Sequence, residues 1–229
     1  MLLKILFFNF IFYFSILFFG ILLLPVLISR TLTRKTVRAW SKFIIFFLTN
    51  ILKIKIVFKN NYLKDEEGQV IAANHQSAFD TIFFLAAFDK AIYIIKKELI
   101  FIPVYGWYAM RLGNIYIDRE KRIESIKKIS KNIVTLIKKN YKVVIFPEGT
   151  RQPPNKIGTI KPGVFLIQEH LKRPIFPVYI DSGKTWPKNS FKIKKKNILI
   201  KSLKPITYGL TKNKFKEILK KSFDESFKN

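Results

Sequence analysis

Asn114–Gly149 reads NIYIDREKRIESIKKISKNIVTLIKKNYKVVIFPEG, and this stretch decides the fold class. Asn114–Ile117 is a short run of β-branched and aromatic residues, the composition of a buried strand. From Arg119 to Lys139, Ile123, Ile126, Ile133, Leu136 and Ile137 form a helical stripe beneath a basic outer face. Val143–Phe146 is a second apolar strand, and it stops at Pro147-Glu148-Gly149. Strand, amphipathic helix and strand together are the pattern of a right-handed parallel crossover, which predicts an α/β domain.

Outward from this unit, Gln69–Ala73 reads as a short buried strand and Ser77–Phe88 as a helix with an apolar face. Ile92–Ile95 and Ile175–Ile180 are further strands. Phe191–Leu203 alternates Lys with Ile and Leu around Lys196-Asn197, which predicts a hairpin. Lys214–Phe227 places Phe215, Ile218, Leu219 and Phe223 on one helical face. There is no internal repeat.

Upstream the chain changes character. Ile5–Ile28 is almost unbroken apolar sequence, interrupted only by Asn9, Ser15 and Gly20. As a helix it reaches roughly the 30 Å of a bilayer's hydrocarbon core. It is longer than the apolar part of a signal peptide and no small-x-small cleavage site follows, so it reads as a retained membrane anchor. Lys4 alone precedes it, whereas Arg30, Arg34, Lys35, Arg38 and Lys42 follow, which predicts the rest of the chain on the cytoplasmic face. Phe43–Leu52 is too short to span and reads as a core helix or an interfacial segment, and its basic flanks suit the headgroup layer beside the anchor. The expected division is therefore 1–52, anchor and interfacial helix, and 53–229, globular α/β domain.

Composition narrows the function. The aromatic fraction of 15% excludes a disordered chain. No Cys is present, which removes disulfides, thiolate metal sites and a cysteine nucleophile. With only His75 and His170, a multi-histidine metal site is not expected. The net charge of +27 fits an anionic membrane surface, acidic substrates or nucleic acid. Its excess is mostly Lys in a chain also rich in Ile, Asn and Phe, a mixture that an A/T-biased genome alone would give. Nucleic-acid binding is not expected, because aromatic–basic stacking motifs are missing.

Two clusters could carry chemistry. Asn74-His75-Gln76-Ser77-Ala78-Phe79-Asp80 sits where a strand runs into a helix, where open α/β sheets place their sites. A carboxylate five residues after the His can accept its Nδ1–H and leave Nε2 as a base. Ser77-x-x-Asp80 also reads as a capping box that serves only the helix start. The second cluster, Phe146-Pro147-Glu148-Gly149-Thr150-Arg151, offers close backbone approach at Gly, a hydroxyl at Thr and a bidentate phosphate grip at Arg. Gly113–Arg119 ends another strand with an Arg. Neither a G-x-S-x-G elbow nor a G-x-x-x-x-G-K-[ST] loop is present, since Val164 follows Gly163. His170 is expected as an exposed residue near a helix end.

In this order and spacing the pieces resemble the glycerolipid acyltransferase family, and within it most closely the 1-acyl-sn-glycerol-3-phosphate acyltransferases. Asn74–Asp80 carries the H-x-x-x-x-D motif. Gly113–Arg119, Phe146–Arg151 (FPEGTR) and the strand around Pro177 are similar to the following blocks, and Lys96-Lys97-Glu98-Leu99 with Pro103, Gly106 and Trp107 resembles the connector. The likeness covers roughly residues 70–181. One departure is Lys161-Pro162-Gly163, where the family has a second basic residue before the Gly, so no phosphate contact is expected from position 162.

The resemblance implies a mixed α/β sheet flanked by helices behind an N-terminal membrane-anchoring helix. It also implies acyl transfer from a thioester, acyl-CoA or acyl carrier protein, to the hydroxyl of lysophosphatidate, without cofactor or metal. His75 and Asp80 would be the catalytic pair. Arg119 and Arg151 would hold the phosphate, with Glu148, Gly149 and Thr150 shaping the glycerol pocket. Lys96 or a nearby backbone N–H would serve the oxyanion. Glycerol 3-phosphate or another lysophospholipid is the alternative acceptor, and a non-catalytic basic membrane-binding protein is the alternative class.

Overall fold

The computed structural model describes residues 1–117 and 122–228, with side chains described outside 122–128 and 227–228. Two helices come first, α1 (Leu2–Leu22) and α2 (Arg30–Asn50). There follow β1 (Ile56–Lys59), β2 (Gln69–Ala73), α3 (Phe79–Ala87), β3 (Ala91–Lys96), α4 (Tyr105–Leu112) and β4 (Ile115–Ile117). The chain then forms α5 (Arg122–Lys138), β5 (Lys142–Ile145), α6 (Gly163–Leu171), β6 (Ile175–Ile180), β7 (Ile198–Ser202) and α7 (Lys212–Lys228).

The strands form one mixed sheet in the order β1-β7-β6-β2-β5-β3-β4. All neighbours are parallel except β6 and β7. The carboxyl ends of β2 to β6 therefore share one edge. Both faces are covered, as a parallel sheet requires. On β2, Ile71 and Ala73 point into a core with α1, α2 and α3, while Val70 and Ala72 point into one with α5, α6 and α7. The stripe on α5 is real where described: Ile133 and Ile137 are buried with Ile129, and Leu136 packs at their margin.

Three local expectations need correction. The apolar run Ile5–Ile28 is not one helix. Pro25 lacks an N–H and crowds the turn before it, so α1 ends at Leu22 and Leu24–Ile28 is a 3₁₀ turn. Phe43–Leu52 is not a separate element. Most of it is the last half of α2, whose Ile44 and Leu48 are in the core while Phe46 stays exposed. Nor does Phe191–Leu203 form a hairpin. Only β7 forms, and its partners are β1 and β6 rather than its own upstream sequence. The backbone before it instead folds over the turn that follows β6, where Lys194 N donates to Thr185 O at 2.8 Å.

The N-terminal helices belong to the same core as the sheet. Phe8 and Phe12 of α1 pack edge-on against Trp186, with ring centroids 5.3 and 5.0 Å away. Trp40 Nε1 of α2 donates to Ser15 Oγ at 3.0 Å, and Asn9 Nδ2 donates to Phe191 O at 2.8 Å. Gly20 lets α1 approach the start of α4, since a Cβ there would lie 2.3 Å from Val104 Cγ1. Other residues of α1, among them Phe7, Phe10, Phe14, Leu17 and Phe18, remain exposed.

Candidate active site

At the carboxyl edge of the sheet, the chain leaves β2 as Asn74-His75. Asn74 behaves like one more strand residue: Nδ2 donates to Ile180 O at 2.8 Å and Oδ1 accepts from Ile180 N at 2.7 Å. This side chain, which the sequence reading assigned no role, ties the end of β2 to the end of β6. His75 follows with its side chain 12% exposed.

Asp80, in the first turn of α3, is fully buried. Its Oδ2 accepts from His75 Nδ1 at 2.8 Å, from Gln76 N at 2.7 Å and from Ser77 N at 2.8 Å. α3 is capped at Ala78 with no side-chain cap bond, so Ser77-x-x-Asp80 is not the expected capping box. The carboxylate satisfies backbone donors at the helix start and also orients the imidazole. An ionised carboxylate only accepts, so Nδ1 carries the proton and Nε2 is the nitrogen left for base chemistry. Ser182 Oγ, from the turn after β6, donates to Asp80 Oδ1.

The second cluster wraps the first. Gly149 takes φ +70°, a conformation open to Gly, and its N–H closes a turn on Phe146 O at 2.9 Å. That turn aims Glu148 inward. Its Oε2 accepts from His75 N at 2.8 Å, and its Oε1 accepts from Gly158 N at 2.7 Å. Gln152 N donates to His75 O at 2.7 Å, so both backbone groups of His75 are held by residues 148–152. Burial pushes the Glu148 carboxyl up to about 7, against the pull of the Gly158 and His75 N–H bonds. Phe146 stacks on the imidazole with centroids 4.0 Å apart, and Tyr93 lies next in the stack at 6.0 Å from Phe146.

Tyr93 also lines a cavity of about 280 Å³ that runs beneath α1 and α2. Phe12, Ile16 and Phe19 of α1, Trp40 of α2, Ile82 and Leu85 of α3 and Tyr108 of α4 form apolar wall, and among the described residues Arg151 is the single charged one lining it. Thr150 is exposed. Lys96 ends β3 on the same edge, half-buried and two strands from β2, a separation of about 10 Å. It does not line the cavity. Arg119 lies outside the described residues. His170 is exposed, its Nδ1 2.8 Å from Leu166 O in the last turn of α6. Among the described residues, no group of three or more His, Asp or Glu side chains could hold a metal ion.

An open, mostly parallel α/β sheet with a His–Asp pair at its carboxyl edge is the geometry of a candidate general-base site. The comparisons narrow this. The profile of the family described as Acyltransferase matches residues 55–181, more than half the chain, and the chain belongs to that family. A 1-acyl-sn-glycerol-3-phosphate acyltransferase of Pseudomonas aeruginosa is 30% identical over 69% of this chain and 62% of its own length. One from Saccharomyces cerevisiae is 30% identical over 76% of this chain and 58% of its own. The chain thus spans less than two thirds of these curated relatives. The crystal structure of the 1-acyl-sn-glycerophosphate (LPA) acyltransferase PlsC from Thermotoga maritima matches with a TM-score of 0.76. It is 22% identical, and the match covers 99% of this chain and 94% of that one, which establishes the shared fold.

Proposed function

We propose that the protein transfers an acyl group from a thioester to the free hydroxyl of lysophosphatidate, making phosphatidate. The observation that carries this reading is the His75 Nδ1–Asp80 Oδ2 bond of 2.8 Å; Tyr93, at the far end of the ring stack that starts at His75, lines an apolar cavity with Arg151 in its wall. The pair supplies a base, the cavity suits an alkyl chain and the guanidinium suits a phosphate. Family membership and the printed activity of the relatives agree with it.

In the mechanism that follows, His75 Nε2 takes the proton from the acceptor hydroxyl as its oxygen attacks the thioester carbon. Asp80 fixes the tautomer and stabilises the imidazolium that forms. Collapse of the tetrahedral intermediate breaks the carbon–sulfur bond, and the imidazolium returns the proton to the leaving thiolate. Arg151, with Arg119, holds the phosphate. Glu148 and Gly149 hold the loop against His75. The donor is acyl-CoA or an acyl carrier protein, whose acidic surface the basic chain would attract.

The same reading places the protein on a membrane. One helix, α1, is long and apolar enough to cross a bilayer. The aromatic face it exposes beside exposed Phe46, Phe101 and Trp107 would enter lipid, with the catalytic domain on the cytoplasmic side. The test is product analysis with purified full-length protein in vesicles, offering lysophosphatidate, glycerol 3-phosphate and neutral lysophospholipids with each donor. Phosphatidate from lysophosphatidate, lost about 10²–10⁴-fold in His75→Ala, is expected. Preference for another acceptor, or a third of wild-type turnover in His75→Ala, would overturn the reading.

A further inference from the structure

One of the four donors on the Asp80 carboxylate comes from a part of the chain 102 residues away. Ser182 is fully buried in the 3₁₀ turn Ser182–Lys184 that follows β6. The turn is pinned from both sides. Gly183 N donates to Gln76 Oε1 at 3.2 Å, and a Cβ on Gly183 would lie 2.9 Å from Gln76. Ser182 O accepts from Thr185 N at 3.0 Å and from Trp186 N at 2.8 Å. Trp186 is the ring on which Phe8 and Phe12 of α1 rest.

We infer that Ser182 is a positioning residue for the His75–Asp80 pair, and that Trp186, seated on α1, sets the turn that delivers its hydroxyl. The inference rests on the general-base reading of His75. Three donors reach Asp80 through Oδ2 alone, and Oδ1 has Ser182. Without that fourth donor the carboxyl group is free to rock about its last bond, which loosens the contact to Nδ1. With it, the carboxylate plane is fixed and the imidazole with it. The path from α1 through Trp186 to Ser182 consists of ring contacts and one backbone hydrogen bond. Seating of the apolar helix on the domain thereby reaches the catalytic pair.

The experiment uses full-length protein in lipid–detergent micelles, with Ser182→Ala, Ser182→Thr, Trp186→Ala and the double variant Ser182→Ala/Trp186→Ala. Two quantities are read: kcat and KM with lysophosphatidate, and the exchange rate of the His75 Nδ1–H proton by NMR. Ser182→Ala is expected to lower kcat about 10–100-fold, the range for a hydrogen bond to a charged group, with KM unchanged. Its Nδ1–H should exchange about 10-fold faster, and Ser182→Thr should restore both. Trp186→Ala should move both quantities the same way and add little to Ser182→Ala.

Wild-type kcat and exchange in Ser182→Ala would overturn the inference, as would a loss that Thr does not restore. Additive effects in the double variant would overturn the part assigned to Trp186 and α1. Faster exchange in Ser182→Ala, in a protein whose His75→Ala variant keeps its turnover, would support the contact and sink the general-base reading.

Discussion

Asp80→Asn separates two jobs that the carboxylate does at once. Three donors meet Oδ2, namely His75 Nδ1–H and the N–H groups of Gln76 and Ser77, whereas a single hydroxyl meets Oδ1. An Asn amide turned the wrong way would point its NH₂ at three donors. Turned the right way, its carbonyl takes all three and its NH₂ faces Ser182, whose hydroxyl can rotate to accept. The second orientation preserves the helix start, the imidazole orientation and the tautomer. What it removes is the charge. At about 4 Å between charge centres and an effective dielectric near 20, a carboxylate stabilises an imidazolium by about 4 kcal/mol. A neutral hydrogen bond keeps about 1 kcal/mol of that. The transition state should then lose about 3 kcal/mol, or roughly 100-fold in kcat.

The assay compares kcat for wild type, Asp80→Asn and Asp80→Ala alongside thermal unfolding of each. Asp80→Asn should unfold close to wild type. Asp80→Ala should be destabilised as well as inactive, because it leaves two buried N–H groups unpaired at about 1–3 kcal/mol each. An Asp80→Asn enzyme within threefold of wild type would refute the role of the charge. One that unfolds as early as Asp80→Ala would refute the amide placement.

Arg151→Ala should raise KM for lysophosphatidate about 10–100-fold, from the 1.5–3 kcal/mol of a hydrogen bond to a charged group, and Arg151→Lys should recover only part. Unchanged KM would move the phosphate elsewhere. Glu148→Gln should flatten the pH dependence of stability. The buried carboxyl is raised from 4.5 to about 7, so its contribution is full below about pH 4.5 and lost as pH rises through 7. Wild type should therefore lose up to about 3 kcal/mol relative to Glu148→Gln between pH 4.5 and 8, read by denaturant titration. Parallel curves would show that Glu148 is not paying for its burial.

Much of the fold is legible because it rests on local periodicity. The strands at Gln69–Ala73, Ile175–Ile180 and near Val143 are short apolar runs ended by turn residues. The helices at Phe79–Ala87 and Lys212–Lys228 carry their stripes openly. The site motifs were legible for a related reason, since His75, Asp80 and the turn at Glu148-Gly149 sit at strand ends where residue type and spacing carry meaning. Glu148 illustrates the limit. The resemblance implied a place for it in the glycerol pocket, but not that both its oxygens hold backbone N–H groups, one of them that of His75. Asn74 heads the His75 motif, which gives it no role, and Ser182 is a short polar residue with no pattern around it, which the pairing of β2 with β6 brings into the site.

Apart from the break at Pro25, which is local, the misread segments fail for one physical reason: their partners are distant in sequence. A period of two in Phe191–Leu203 is the same whether a strand pairs with its neighbour or with β1, some 140 residues earlier. Choosing β1 leaves residues 186–193 free to lie against α1, where Trp186 and Phe191 meet its aromatic face. The N-terminal run poses the same problem in stronger form. Its length and apolarity describe a helix surrounded by lipid. Phe8 and Phe12, however, are buried in protein, and Phe12, Ile16 and Phe19 line the same cavity as Tyr93, the ring next to Phe146 in the stack on His75. Hydropathy measures only that a surface avoids water. It does not distinguish an exposed apolar face from one packed in protein, and α1 has both, with Phe10 and Phe14 exposed and Phe8 and Phe12 buried.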